Sequence, residues 1–220
     1  MANVRLVVVG DGDIRNARHN KDCIRASTYY DARCIIYFYV DERRDTMIGI
    51  ILLGKSNSGK STLGKVVARK TNARYISSGD IARSMTDNLS SLNKGNLAPE
   101  SEMRSAILDA ISSEDTSFIL DGFPRFYEQY EWLNQVVNCD LIYVIISVPS
   151  EQIISRAINR GRSDDRSIRS KLEFYEENTK PMIKNIIDNG EIVYDINNDN
   201  DADIQGNIST LCKIMEDYLC

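Results

Sequence analysis

Ile48-Gly49-Ile50-Ile51-Leu52-Leu53-Gly54-Lys55-Ser56-Asn57-Ser58-Gly59-Lys60-Ser61 is an apolar, β-branched run that passes without a break into a glycine loop. A short run of this character reads as a fully buried strand. The loop fits G-x-x-x-x-G-K-[ST], in which backbone N–H groups cradle phosphates, the lysine reaches the β- and γ-phosphates and the hydroxyl meets Mg²⁺. From Ser61 onward, Leu63, Val66 and Val67 fall at helical spacing. The loop therefore sits between a buried strand and a helix N-terminus whose dipole favours an anion. This is the context a nucleoside-triphosphate loop requires.

Working outward, short apolar runs alternate with helical patterns, which predicts a parallel sheet covered by helices, an α/β fold. Further strands are expected at Tyr75-Ile76, Ser117–Leu120, Leu141–Val148 and Ile192–Asp195. A polar, mostly helical excursion runs from about Ile81 to Ile111, with a loop around Asn93-Lys94-Gly95-Asn96-Leu97-Ala98-Pro99. One helix starts at Glu151 and ends near Arg160-Gly161, and another begins near Ser167 after a very short, arginine-rich connection. An amphipathic helix from about Asp203 to Leu219 closes the chain.

A second motif ends the Ser117–Leu120 run: Asp121-Gly122-Phe123-Pro124-Arg125. An acidic residue at the end of an apolar strand lies where open α/β sheets collect their ligand groups. With the glycine loop it points to phosphoryl transfer. At 220 residues and 42% hydrophobic the chain can bury one sizeable core. A net charge of −5 gives no electrostatic case for nucleic acid or an anionic membrane, so small-molecule partners are expected. No secretion or membrane-insertion segment is read, which predicts a cytoplasmic protein. The five cysteines are odd in number and never spaced C-x-x-C, arguing against a disulfide framework or a zinc knot. His19 lies apart from both motifs and is read as a surface residue.

Residues 1–46 stand apart as an N-terminal extension. Val4–Val9 is strand-like and leads into Gly10-Asp11-Gly12-Asp13, and Cys34–Val40 is a second apolar run. A nucleotide site at Gly10-Asp11-Gly12 is disfavoured, because the third glycine of G-x-G-x-x-G is missing. The alternatives are a strand pair packed on the sheet edge and an extension whose order the sequence leaves open.

From Met47 onward the chain resembles the adenylate kinases and their relatives among the nucleoside monophosphate kinases. Ile50–Gly54 with Gly59-Lys60 is similar to the family's first strand and phosphate loop. Ser77-Ser78-Gly79-Asp80 resembles its S-T-G-D segment, and Asp121–Arg125 matches D-G-F-P-R. Arg156, Arg160 and Arg162-Ser163-Asp164-Asp165 resemble the arginines and acidic pair that flank the lid. The resemblance implies a P-loop NTPase three-layer fold with a helical monophosphate-binding insert at about 77–111 and a short lid at about 160–166. It implies transfer of the γ-phosphoryl of ATP to AMP, Mg²⁺ as cofactor and a monomer.

The resemblance also assigns roles, and each has a physical rationale. Gly54, Asn57, Ser58, Gly59, Lys60, Ser61, Thr62, Arg156 and Arg160 are expected to hold ATP. Ser78, Arg83, Leu97, Gly122, Arg125, Gln129 and Arg162 are expected around AMP. Lys60, Arg125, Arg156 and Arg162 are the expected catalytic cations, since a transferring phosphoryl group spreads negative charge that only positioned cations can stabilise. Ser61, and Asp121 through water, are expected on the metal. Gln129 can pair with an adenine edge through one donor and one acceptor.

The chain departs from the family pattern in four places. Ser56 and Asn57 replace a proline and a glycine of the loop, though asparagine tolerates positive φ. Ser61-Thr62 stands where glycine and threonine are usual. Near the lid, Arg169 or Lys171 takes the place of an arginine, and Asp195-Ile196-Asn197 lacks a glycine after the late strand. A CMP, UMP or deoxynucleotide kinase, a shikimate-kinase-like enzyme and a catalytically degenerate nucleotide-binding protein remain alternative readings.

Overall fold

In the computed structural model of this protein the described residues are 3–8, 29–31, 34–41, 47–86, 100–113, 116–160, 168–199 and 203–219. They divide into two units, Met1–Asp45 and Thr46–Cys220. In the first, β1 (Asn3–Val8), β2 (Tyr29–Asp31) and β3 (Cys34–Asp41) form an antiparallel sheet of order β1-β3-β2. Val4 pairs with Val40 and Tyr30 with Ile35. Two of these strands were expected. At three residues, β2 is too short to show an alternation in sequence. The Gly10-Asp11-Gly12-Asp13 segment lies outside the described residues.

The second unit is built on β4 (Ile48–Leu53), buried along its whole length. After it come α1 (Lys60–Thr71), β5 (Arg74–Ser77), α2 (Ser78–Thr86), α3 (Glu100–Ser112) and β6 (Phe118–Asp121). The order continues with α4 (Tyr127–Val136), β7 (Asp140–Ser147), α5 (Ser150–Arg160), α6 (Ile168–Phe174), a π-helical turn Tyr175–Thr179 and α7 (Lys180–Asp188). Last are β8 (Val193–Asn197) and α8 (Ile204–Leu219). Among the described residues of this unit the five strands pair in parallel in the order β5-β6-β4-β7-β8.

Alternation along β4 creates the three layers. Ile51 and Leu53 point to one face and pack with Met103, Ile107 and Ile111 of α3, Leu133 of α4 and Met182, Ile183 and Ile186 of α7. Ile48, Ile50 and Leu52 point to the other and pack with Leu63 and Val67 of α1 and Ile208, Leu211, Ile214 and Met215 of α8. A strand covered on both faces needs apolar residues at every position, which is why β4 reads as a continuous run. Each fully buried aliphatic side chain contributes roughly 1.5–3 kcal/mol. The parallel order brings the C-terminal ends of β4, β5, β6 and β7 to one edge, where Gly54, Ser77, Asp121 and Ser147 emerge together.

Candidate active site

The loop between β4 and α1 closes on itself through Lys60. Its ammonium donates to the Gly54 carbonyl at 2.9 Å, the Lys55 carbonyl at 2.6 Å and the Ser58 hydroxyl at 3.3 Å. Burial lowers the Lys60 pKa from 10.5 to about 8, with Asp121 partly offsetting that loss and Arg125 adding to it. The loop turns through residues of positive φ: Gly54 at 138°, Asn57 at 61° and Gly59 at 94°. Asn57 thus adopts the left-handed conformation that the departure from glycine at this position requires. Thr62 and Leu63 both donate backbone N–H to the Gly59 carbonyl, which starts α1.

Beside the loop, Asp121 at the end of β6 is buried and accepts two hydrogen bonds on one oxygen. Ser61 Oγ donates to Oδ2 at 2.5 Å and Tyr75 Oη at 2.6 Å. The Tyr75 ring lies against Gly64 of α1, where a Cβ would stand 2.8 Å from the ring edge, and under Lys65 Nζ at 5.4 Å. Burial, reinforced by Asp121, pushes the Tyr75 hydroxyl above its ordinary range and keeps it a donor.

Across the edge lie the residues expected around AMP. Gly122, at φ 82°, comes so close to Ser78 that a Cβ would sit 2.7 Å from its hydroxyl. That hydroxyl is buried and has no partner among the described residues. Arg125 Nε donates to the Gly122 carbonyl at 2.8 Å, and its backbone N–H to Gln129 Oε1 at 2.8 Å. Thr179 Oγ1 of the π-helical turn donates to the Arg125 carbonyl at 2.9 Å. Burial pulls the Arg125 pKa down and Asp121 pushes it back up. Gln129 is itself buried, and its Nε2 donates to Glu100 at the start of α3 at 2.8 Å. Arg83 is exposed on α2 and pairs with Asp80, whose carboxyl that hydrogen bond holds below its ordinary value. Ser77 caps α2 by accepting the Asp80 N–H at 3.1 Å.

On the other side of the loop, Arg156 of α5 donates from NH2 to the Asn198 carbonyl at 2.8 Å. Asn198 donates in turn to the Ser58 carbonyl at 2.8 Å. The structure therefore gathers Gly54, Asn57, Ser58, Gly59, Lys60, Ser61, Thr62, Asp121 and Arg156 around the loop, and Ser78, Gly122, Arg125 and Gln129 next to it. Leu97 and Arg162 lie outside the described residues, as does the short segment from 161 to 167. Arg160 ends α5, and its side chain is likewise outside them.

Sequence reasoning missed three contributors. Tyr75 was read only as part of a strand, although its place two residues before Ser77 is the available signal. Asn198 follows β8 and lies in a polar stretch rich in Asn and Asp, with no motif to mark it. Lys55 sits inside the loop motif at a position the pattern leaves free, yet its ammonium donates to Ser150 at 2.8 Å and pairs with Glu176 at 3.6 Å. It ties the loop to α5 and to the π-helical turn. A cavity of about 550 Å³ opens there, between Lys55, Ser147, Tyr175, Glu176 and Asp199.

The family model described as adenylate kinase matches residues 52–191. The adenylate kinase of Kocuria rhizophila is 30% identical over 168 residues, covering 67% of this chain and 89% of that protein. The adenylate kinase of Leptospira biflexa is 32% identical over 154 residues, covering 61% and 83%. That of Prochlorococcus marinus strain AS9601 is 30% identical over 166 residues, covering 69% and 91%.

Proposed function

The chain belongs to the adenylate kinase family, enzymes of nucleoside monophosphate phosphotransfer, and we propose that it moves the γ-phosphoryl group of ATP to AMP, giving two ADP, with Mg²⁺ as cofactor. The observation that carries this reading is the juxtaposition at one sheet edge of the Lys60 loop with Arg125, close enough that Arg125 lowers the Lys60 pKa while Asp121 raises the pKa of both. One cation serves the donor phosphates and the other the acceptor phosphate.

Phosphoryl transfer needs in-line positioning and cationic stabilisation and no covalent intermediate. Lys60 would exchange its loop carbonyls for the β- and γ-phosphates. Arg125, buttressed by Gly122 and Thr179, would grip the acceptor phosphate with a guanidinium whose Nε is already committed, leaving its terminal nitrogens as a fork. Arg156 stands on the donor side, and Arg160 and Arg162 would close from the lid. Ser61 and Asp121 present a hydroxyl and a carboxylate with no softer ligand between them, a donor set that fits a hard cation. Bound there, Mg²⁺ supplies charge neutralisation of the polyphosphate. The lid and the insert would exclude water, which otherwise competes with the acceptor.

Gln129 argues for a purine monophosphate, whereas Ser78 does not discriminate the base. The unpartnered Ser78 hydroxyl has capacity for a ligand polar atom, and the Gln129 amide is fixed in one orientation by Arg125 and Glu100. The Watson–Crick edge of adenine, a donor beside an acceptor, pairs with a glutamine amide; cytosine offers the same pair, which makes CMP the competitor to test. Gln129→Ala is expected to raise the AMP KM about tenfold, with the ATP KM within twofold. Equal wild-type activity on AMP and CMP would contradict the assignment.

A further inference from the structure

We infer that Asn198 is a positioning residue for the phosphate loop: its side chain holds the Ser58 carbonyl on one side of the loop and so keeps the Gly59 N–H facing the other. The inference rests on reading this loop as the ATP-phosphate site.

Asn198 follows β8 and is buried. Every polar group it owns is used. Its backbone N–H donates to the Ser147 carbonyl at 2.9 Å, and its carbonyl accepts from Arg156 at 2.8 Å. Its Nδ2 donates to the Ser58 carbonyl at 2.8 Å, and its Oδ1 accepts from Asn207 Nδ2 at 2.9 Å. Asn207, buried on α8, also donates to the Asn197 carbonyl at 3.1 Å. An acceptor on one side of the amide and a donor on the other fix its orientation, because a flip would break both bonds.

The consequence follows from peptide geometry. The Ser58–Gly59 peptide is planar and trans, so its C=O and N–H point in opposite directions. With the carbonyl tied to Asn198, the Gly59 N–H is directed away from Asn198. An anion nest is made of such successive N–H groups aimed into one concavity. Gly59 has φ 94°, and a Cβ there would collide with Asn198 Nδ2. A glycine at 59 and asparagines at 198 and 207 are therefore three parts of one device. Without the Asn198 amide, the Ser58 carbonyl is left without its buried partner, and the simplest relief is rotation of the peptide, which turns the Gly59 N–H out of the nest. Arg156 grips the same residue, so the loop and this guanidinium share an anchor.

The device acts on phosphates and not on the base, which decides the test. Mg²⁺–ATP and Mg²⁺–pyrophosphate are titrated calorimetrically into the full chain, its Asn198→Ala variant and the near-isosteric Asn198→Asp variant, with thermal melts of each. The expected result is a common rise in Kd of about tenfold for ATP and for pyrophosphate in both variants, with the AMP KM within twofold. A loss of ATP affinity with pyrophosphate binding unchanged would place Asn198 on the base side and overturn the inference, as would unchanged Kd values in folded variants. A wild-type chain that binds neither ligand would overturn the nucleotide reading itself. The wild-type chain gives a readout that needs no variant: the Gly59 amide resonance should shift on adding pyrophosphate, and an unmoved resonance overturns the inference.

Discussion

Lys60 is a charged group held away from water, and burial makes its ammonium ready for an anionic partner. In the unfolded chain it keeps its proton up to about 10.5, whereas in the fold burial brings the pKa to about 8. The folded protein therefore carries a penalty at neutral pH that is relieved as pH rises through the interval from 8 to 10.5. A bound polyphosphate stabilises the ammonium and reverses the shift, so ATP binding should take up a proton, roughly half of one at pH 8. Calorimetry in buffers of different ionisation enthalpy reads this directly, and no buffer dependence at pH 8 would refute it. Tyr75 is the second residue with a specific consequence. Its hydroxyl fixes Oδ2 of Asp121 beside Ser61, and its ring fills the space that Gly64 leaves open. Tyr75→Phe keeps the ring and removes one hydrogen bond to a carboxylate, a loss of about 1.5–3 kcal/mol in a buried setting. It should raise the Mg²⁺ concentration for half-maximal rate about tenfold while the melting temperature moves by only a few degrees. An unchanged Mg²⁺ dependence would show that Ser61 alone orients Asp121.

At the scale of elements, Arg74 joins the C-terminal end of α3 to the sheet. From β5 it donates to the Ala110 and Ile111 carbonyls at 2.5 Å, to the Ser113 hydroxyl, and to Thr116 at 3.1 Å. A guanidinium at a helix C-terminus satisfies orphan carbonyls and complements the macrodipole. Arg74→Ala should cost about 2 kcal/mol in urea unfolding, the sum of a charged cap and lost hydrogen bonds; a change below about 0.5 kcal/mol would contradict the capping role. The strands were readable because burial on both faces forces continuous apolar runs, as in Ile48–Leu53 and Leu141–Val148. Asp121–Arg125 was readable because the phrase ends such a strand. The π-helical turn Tyr175–Thr179 was not. Its residues continue a helical stripe, and the wider turn becomes visible only with Thr179 bound to the Arg125 carbonyl. Asn198 was invisible for a similar reason: its partners, Ser58, Arg156 and Asn207, are distant in sequence, and asparagine after a strand otherwise reads as a turn.

At the scale of the whole molecule, the family match and the layered parallel sheet both belong to the second unit, Thr46–Cys220. None of the described helices is long and apolar enough to cross a membrane. No cluster of three or more histidine, cysteine or acidic side chains among the described residues could hold a structural metal. The identity of donor, acceptor and products defines the reaction. It is tested most directly by incubating the full chain with ATP and Mg²⁺ and each of AMP, CMP, UMP, GMP and dTMP, and quantifying nucleotides by chromatography. AMP should be consumed fastest, with two ADP appearing for each AMP lost. Turnover favouring another acceptor, or ADP formed without loss of any monophosphate, would contradict it.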